Sequence, residues 1–185
     1  MDTNKLKDHY QKNVVIDNNI LTDFMELNAA LEIDYMNTLN QLFNKIIIPT
    51  PILDNETFRE NLRNLKYDEG VINGETGYSI LIELNNLEDK SAKQLSEYDR
   101  YLIAIAFEKD LLAVSNDKPM REICKKKNIE ITGTLGIISS AYENQLISFK
   151  QMEEAYRYLF SEESSCYLNN ELKIMVYEHY SIKNK

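Results

Sequence analysis

The chain has 185 residues, 43% of them hydrophobic and 28% charged, which is enough to bury a core and ordinary for a globular protein. Its formal net charge of −9 excludes a generally basic surface for nucleic acid, so any phosphate contact must come from a local patch or from bound cations. Cys124 and Cys166 form no CxxC pair and are expected as reduced core thiols of a cytoplasmic protein, with no signal-peptide run and no apolar stretch near the roughly 20 residues of a membrane span.

Val14-Val15-Ile16 is a short apolar run that ends in Asp17 and reads as a buried strand. From about Ile20 to Leu31 the apolar residues Leu21, Phe24, Met25 and Leu27 recur near the helical period, and Asp34 to Phe43 repeats that pattern. Ile46-Ile47-Ile48 is a second strand. Thr50-Pro51 then offers an N-cap and a first-turn proline for a helix predicted to run to about Leu65. Residues 66–76 carry two glycines and read as a loop, Tyr78 to Leu87 as a helix, and Glu88 to Lys93 as a charged connection. Ser96 to Glu108 is a helix whose centre, Leu102 to Phe107, is apolar on all sides, the pattern of a helix buried within the domain. Leu111 to Val114 is a strand, Lys118 to Lys127 a helix with a basic side, and Ile129-Glu130-Ile131 a fourth strand. Gly133-Thr134 opens a further helix, and helices over about 148–160 and 169–180 follow.

Strands that alternate with helices predict an α/β fold: a three-layer α/β/α sandwich around a central, mainly parallel sheet of four or five strands. The expectation is one domain over 1–185, with a polar leader at 1–12 and a C-terminal loop and helix at 161–185. His9 and His179 read as surface or packing residues. GxGxxG, GxxxxGK[ST], GxSxG and HExxH are all missing from the sequence.

The informative feature is where the acids fall. Asp17 directly follows one strand and Asp117 another; in open parallel sheets, ligands bind outside the carboxyl ends of strands. Asp99 lies in the first turn of the buried helix, and Asp54 and Glu56 in the first turns after the second strand, on the same edge. Close carboxylates repel unless protonated or joined by a cation, and hard oxygen donors favour Mg²⁺ or Mn²⁺. Each acid also has a local explanation. Asp99 completes a Ser96-x-x-Asp99 capping box, Asp117 can cap the helix that contains Pro119, and Asp17 can make an Asx-turn.

The segments VVIDNNIL (14–21) and LSEYDRYLIAIAFEKDLLAVSNDKPMREICKKKNIEITGTLGII (95–138) resemble the PIN-domain nucleases. They match the family's opening strand with its acid, its acid-bearing central helix, the strand that ends in a polar-polar-Asp turn, and a GTLG turn similar to that of one bacterial branch. Asn18 stands where Thr or Ser is usual, and residues 50–95 match weakly. The resemblance implies Asp17, Asp99 and Asp117 as catalytic metal ligands with Glu56 or, in another register, Asp54, holding Mg²⁺ or Mn²⁺. It implies Ser115 as a supporting hydroxyl, flanked by Asn18 and Asn116. It implies an endoribonuclease, with RNA as substrate, and the toxin of a toxin–antitoxin pair, with a small antitoxin protein and a homodimer as expected partners.

Lys118, Arg121 and Lys125 share one side of a helix beside Asp117 and are candidates, with Lys126 and Lys127, for backbone phosphates; a solvated helix face is the alternative. Tyr98 or Tyr101 can stack on an unpaired base. Two other functions fit the same residues. One is a catalytically inactive interaction module on the same fold. The other is an aspartyl phosphatase, disfavoured because Asn19 stands where a second Asp is usual.

Overall fold

The first strand, β1 (Asn13–Ile16), is the middle of the sheet. The computed structural model describes residues 8–31, 33–54, 56–166 and 168–183, and the side chains of Glu56 and Thr57 lie outside the described residues. After β1 come α1 (Asn18–Leu31), α2 (Tyr35–Leu42), β2 (Lys45–Pro49), a 3-10 turn (Thr50–Asp54), α3 (Glu56–Asn61) and β3 (Asp68–Gly70). They are followed by α4 (Glu75–Asn86), α5 (Lys90–Gln94), α6 (Glu97–Glu108), β4 (Leu112–Val114) and α7 (Lys118–Lys126). The last elements are β5 (Ile131–Thr132), α8 (Thr134–Glu143), α9 (Phe149–Leu159) and α10 (Asn170–His179).

Among the described residues the sheet has five strands, all parallel, in the order β3-β2-β1-β4-β5. Val15 lies opposite Ile47 and Ala113. Side chains alternate along each strand, so these three face one layer while Val14, Ile16, Ile46, Ile48, Leu112 and Val114 face the other. The first layer holds α4, α6 and α7 through Ile80, Leu84, Leu102 to Ala106, Met120 and Ile123. The second holds α1, α2, α8, α9 and α10 through Phe24, Tyr35, Leu39, Ile137, Tyr156 and Val176. The predicted three-layer sandwich is therefore present, with a core on each face of the sheet. Both cysteines are free and buried. No helix of the described residues is long and apolar enough to cross a membrane.

Five local expectations fail. The helix predicted to run to Leu65 is a 3-10 turn and a short α3, because the turn is tied sideways: Thr50 Oγ1 donates to the Gly70 carbonyl (3.0 Å) and Arg59 Nε to the Leu53 carbonyl (3.2 Å). The supposed loop at 66–76 contains β3, whose pairing comes from β2 and whose sequence is Asp-Glu-Gly. Residues 88–93 include the start of α5, capped by Asp89 and held to α7 by the Ser91–Glu122 hydrogen bond and the Lys126–Asp89 ion pair (2.6 Å). Finally, β5 is Ile131–Thr132 rather than 129–131, and Phe107 is partly exposed rather than enclosed. The end of the polar leader is also docked. His9 is buried with its amide on Ser140 Oγ (3.0 Å), and Lys12 pairs with Glu130 (2.7 Å).

Candidate active site at the carboxyl edge of the sheet

The chain order runs outward from β1 to β2 and β3 on one side and from β4 to β5 on the other, so the topology switches direction between β1 and β4. A crevice opens at the carboxyl ends of such a pair, and the first residue beyond a strand stands at that edge of the sheet. Asp17 is that residue after β1. Its amide extends the sheet by donating to the Val114 carbonyl (3.0 Å), and its own carbonyl accepts the Leu21 amide (3.3 Å) at the start of α1.

Asp17 is 7% exposed. Its Oδ2 accepts from the Ser115 hydroxyl (2.8 Å) and its Oδ1 from the Asn18 amide (2.8 Å). The latter replaces the Asx-turn that the sequence offers. Burial pushes the carboxyl up to about 6; the Ser115 and Asn18 donors pull it down, while the charges of Asp99 and Asp117 raise it further. The fully buried Ser115 Oγ also accepts from the Asp117 amide (3.1 Å), so one hydroxyl joins the ends of β1 and β4.

Asp99 and Asp117 keep the local roles that the sequence allowed. Asp99 Oδ2 accepts from the Ser96 amide (2.7 Å) in a capping box at the start of α6, and Asp117 Oδ1 accepts from the Met120 amide (2.8 Å) as the N-cap of α7. Each cap uses one oxygen of a carboxylate that has two, so capping and a shared site are compatible. Burial, and then the charge of Asp99, raise the Asp117 carboxyl, against the Met120 amide and Arg121.

Asp17, Asp99 and Asp117 line one cavity of about 620 Å³, together with Asp54, Asn18 and Tyr98. Asp54 reaches it from the exposed end of the 3-10 turn. The Glu56 side chain lies outside the described residues. Among the described residues no group of three or more His, Cys, Asp or Glu side chains stands close enough to hold a metal ion by itself. The donor set nonetheless suits a hard, hydrated cation: Mg²⁺ keeps several waters and takes one or two protein carboxylates, and these acids repel one another without it.

The other sequence candidates divide. Asn116 does not line the acidic cavity. Its Nδ2 donates to Asp23 Oδ2 (2.8 Å) and Thr134 Oγ1 (2.9 Å), and its Oδ1 accepts from the Thr134 amide (3.1 Å). It fixes the β4–α7 turn from behind. Lys118 and Arg121 line a second cavity of about 880 Å³ that shares Asn18, Asn19 and Asp117 with the first. Lys125 is exposed and lines neither, Lys126 is paired with Asp89, and Lys127 is paired with Glu83 (2.8 Å). Tyr98 faces the acidic cavity and is 54% exposed, whereas the Tyr101 hydroxyl accepts from the Ile72 amide (3.2 Å) and is structural.

Sequence reasoning missed Asp23 and Thr134. Asp23 is 4% exposed in α1 and accepts from Thr134 Oγ1 (2.5 Å), Asn116 and Cys166 Sγ (3.2 Å). A signal was present: Asp23 stands three residues after Ile20 and four before Leu27, inside the apolar stripe of the helix. A family model described as PIN domain matches residues 13–177. No curated protein matches the chain.

Proposed function

Given that the chain belongs to the PIN-domain family, a family of nucleases, we propose that it is a metal-dependent endoribonuclease that hydrolyses RNA phosphodiester bonds at the Asp17–Asp99–Asp117 cavity. The observation that carries this reading is the buried Asp17 carboxyl at the topological switch point, raised to about 6 in a cavity that it shares with three further carboxylates. Such a concentration of negative charge opposes RNA unless cations intervene.

Mg²⁺ or Mn²⁺ bound among these oxygens would neutralise the phosphate and activate a water for attack on phosphorus. Asp17 is the fixed member, held by Ser115 and Asn18. Asp99 and Asp117 line the same cavity, each with one oxygen outside its helix cap, and Asp54, or Glu56 in the other register, would supply a further acid. Catalysis then needs no side-chain nucleophile.

We carry the reading on to the toxin of a cytoplasmic toxin–antitoxin pair, a homodimer silenced by a small antitoxin protein, on the likeness of the Gly133-Thr134-Leu135-Gly136 turn to one bacterial branch. One observation favours a second reading, an inactive interaction module on the same fold: the described carboxylates do not close into a three-ligand cluster. An RNA cleavage assay separates the two. Wild-type protein with Mg²⁺ or Mn²⁺ should cut, EDTA should stop it, and Asp99→Asn should lower the rate by about a hundredfold or more. The Asn oxygen can still accept from Ser96, so the helix cap survives. Equal activity in the two proteins, or none in either across several RNAs and both metals, overturns the nuclease reading.

A further inference from the structure

Helix α4 carries large apolar side chains on the side turned to water. Tyr78 and Ile82, one turn apart, are 53% and 60% exposed, and Ile82 is the most exposed large apolar residue among the described residues. The other side of the helix buries Gly77, Ile80 and Leu84, so α4 has apolar residues on two faces where a surface helix needs one apolar face. We propose that the outer face of α4 is a docking site for a partner protein, which presents a basic amphipathic helix: an apolar stripe for Tyr78 and Ile82, with lysines or arginines beside it. No residue of α4 lines either cavity, and the docking site stands whether or not the chain cuts RNA.

The helix is held so that this face stays outside. At its start, Glu108 at the end of α6 accepts from the Asn73 (3.2 Å) and Gly74 (3.0 Å) amides. Gly77 lets the two helices close, since a Cβ there would collide with Glu108 Oε2 and stand 2.7 Å from Ile72 Cγ2. Further along, Glu83 pairs with Lys127 at the end of α7 (2.8 Å), and Asn85 Oδ1 accepts from Arg100 Nη1 of α6 (3.2 Å). Tied at its start, middle and end, α4 cannot roll to bury Tyr78 and Ile82.

Charge selects the partner. From Val71 to Glu88 the chain has three glutamates and no lysine or arginine. Lys127 and Lys109 answer Glu83 and Glu108, but Glu75, Glu88 and Asp110, which stands two residues past Glu108, make no hydrogen bond or ion pair among the described residues. Arg100 is partly buried and donates to Asn85 and to the Ala92 carbonyl (3.3 Å). The last turn of α4 holds no basic residue, so the negative pole of its dipole is unanswered. Glu75, Tyr78 and Ile82 fall at i, i+3 and i+7, which aligns a free carboxylate with the apolar stripe. A second copy fits this face poorly: a two-fold contact sets the patch against itself, and glutamates would meet glutamates without a cation. RNA is repelled by the same charges. A helix with an apolar stripe and basic flanks covers Tyr78 and Ile82 and pairs the free carboxylates at once.

The test uses the full chain and three labelled synthetic peptides of about 18 residues, five turns of helix. One has a leucine stripe at helical spacing flanked by lysines, the second the same stripe flanked by glutamates, and the third the lysines with the leucines scattered. Followed by anisotropy, the first should bind at least about tenfold tighter than either of the others, and more weakly as salt rises. Ile82→Lys should weaken it by about tenfold or more, and Tyr78→Ser and Glu75→Gln by smaller factors, with melting temperatures close to that of the wild type because these side chains are exposed. Ile174→Ser, at an exposed apolar position of α10, should leave the affinity unchanged, which separates docking from general attraction to a chain of net charge −9. Amide exchange should slow over 75–86 in the complex. If Ile82→Lys does not fold, Tyr78→Ser and the exchange map decide. No binding of the lysine-flanked stripe, equal binding of the glutamate or scattered peptide, unchanged affinity in the α4 variants, or protection at the acidic cavity in place of α4 overturns the proposal. So does a dimer of the free chain that Ile82→Lys converts to monomer, since the face then belongs to a second copy.

Discussion

Asp17 and Asp23 stand six residues apart, both almost fully buried, and in both burial raises the carboxyl above its ordinary value. Their surroundings separate them. Asp23 receives three donors, from Thr134, Asn116 and Cys166, and the charge of Glu26 raises it. Asp17 receives two donors, feels the charges of Asp99 and Asp117, and opens onto a cavity. A buried acid saturated by donors is an architectural strut, which here ties α1, the β4–α7 turn and α8 together. A buried acid facing like charges and an open space is poised for a cation, and that arrangement is unfavourable for folding.

The largest test of this contrast is a pair of substitutions. Asp17→Asn should lower RNA cleavage by about a thousandfold or more without lowering the melting temperature, since it removes a desolvated and repelled charge. Asp23→Ala should do the reverse. It strands three donors and should lose about 1–3 kcal/mol in urea unfolding, with cleavage per folded molecule changing less than tenfold. A folded Asp23→Ala protein without activity would dissolve the distinction.

Stability against pH sharpens it further. The folded carboxyl of Asp17 sits at about 6 and the unfolded one near 3.8, so the native state binds more protons between these values. The contribution is fully present below about pH 3.8 and is lost as pH rises through 6, by at most about 3 kcal/mol. With EDTA present, unfolding of wild type and Asp17→Asn should diverge in favour of the variant from pH 4 to 6 and run parallel above it. Mg²⁺ or Mn²⁺ should narrow the gap by binding only the folded wild type. Curves that stay parallel throughout would place Asp17 among ordinary carboxylates.

The smallest effect belongs to Cys166→Ser. The hydroxyl keeps a donor for Asp23, so the change should cost less than about 1 kcal/mol and leave cleavage and RNA affinity unaltered.

Much of the fold was legible because its central strands are short, wholly apolar runs and its helices carry caps. Asp34, Ser96, Asp117, Ser148 and Asn169 each hold the amide that an N-cap should. β3 was not legible. Asp68 and Glu69 are the residues of a solvated loop, and they form a strand because β2 offers its edge, Lys45 and Arg59 neutralise them, and Gly70 leaves room for Ile47. The division of the basic residues on α7 was equally hidden. Lys118, Arg121, Lys125, Lys126 and Lys127 look alike in sequence, and only Glu83 and Asp89, brought in by α4 and α5, take two of them out of play.

The sequence by itself determined the α/β class, the parallel sheet, and the placement of acids just beyond strands and at helix starts. Those features follow from period, capping and the rule that strand ends meet at one edge. Only the tertiary structure decided that Asp17 is buried and repelled, that Asn116 serves Asp23 rather than the cavity, and that Arg121 lines a groove closed by the segment before α10. Desolvation and pairing depend on neighbours that lie far along the chain, and local pattern carries no record of them.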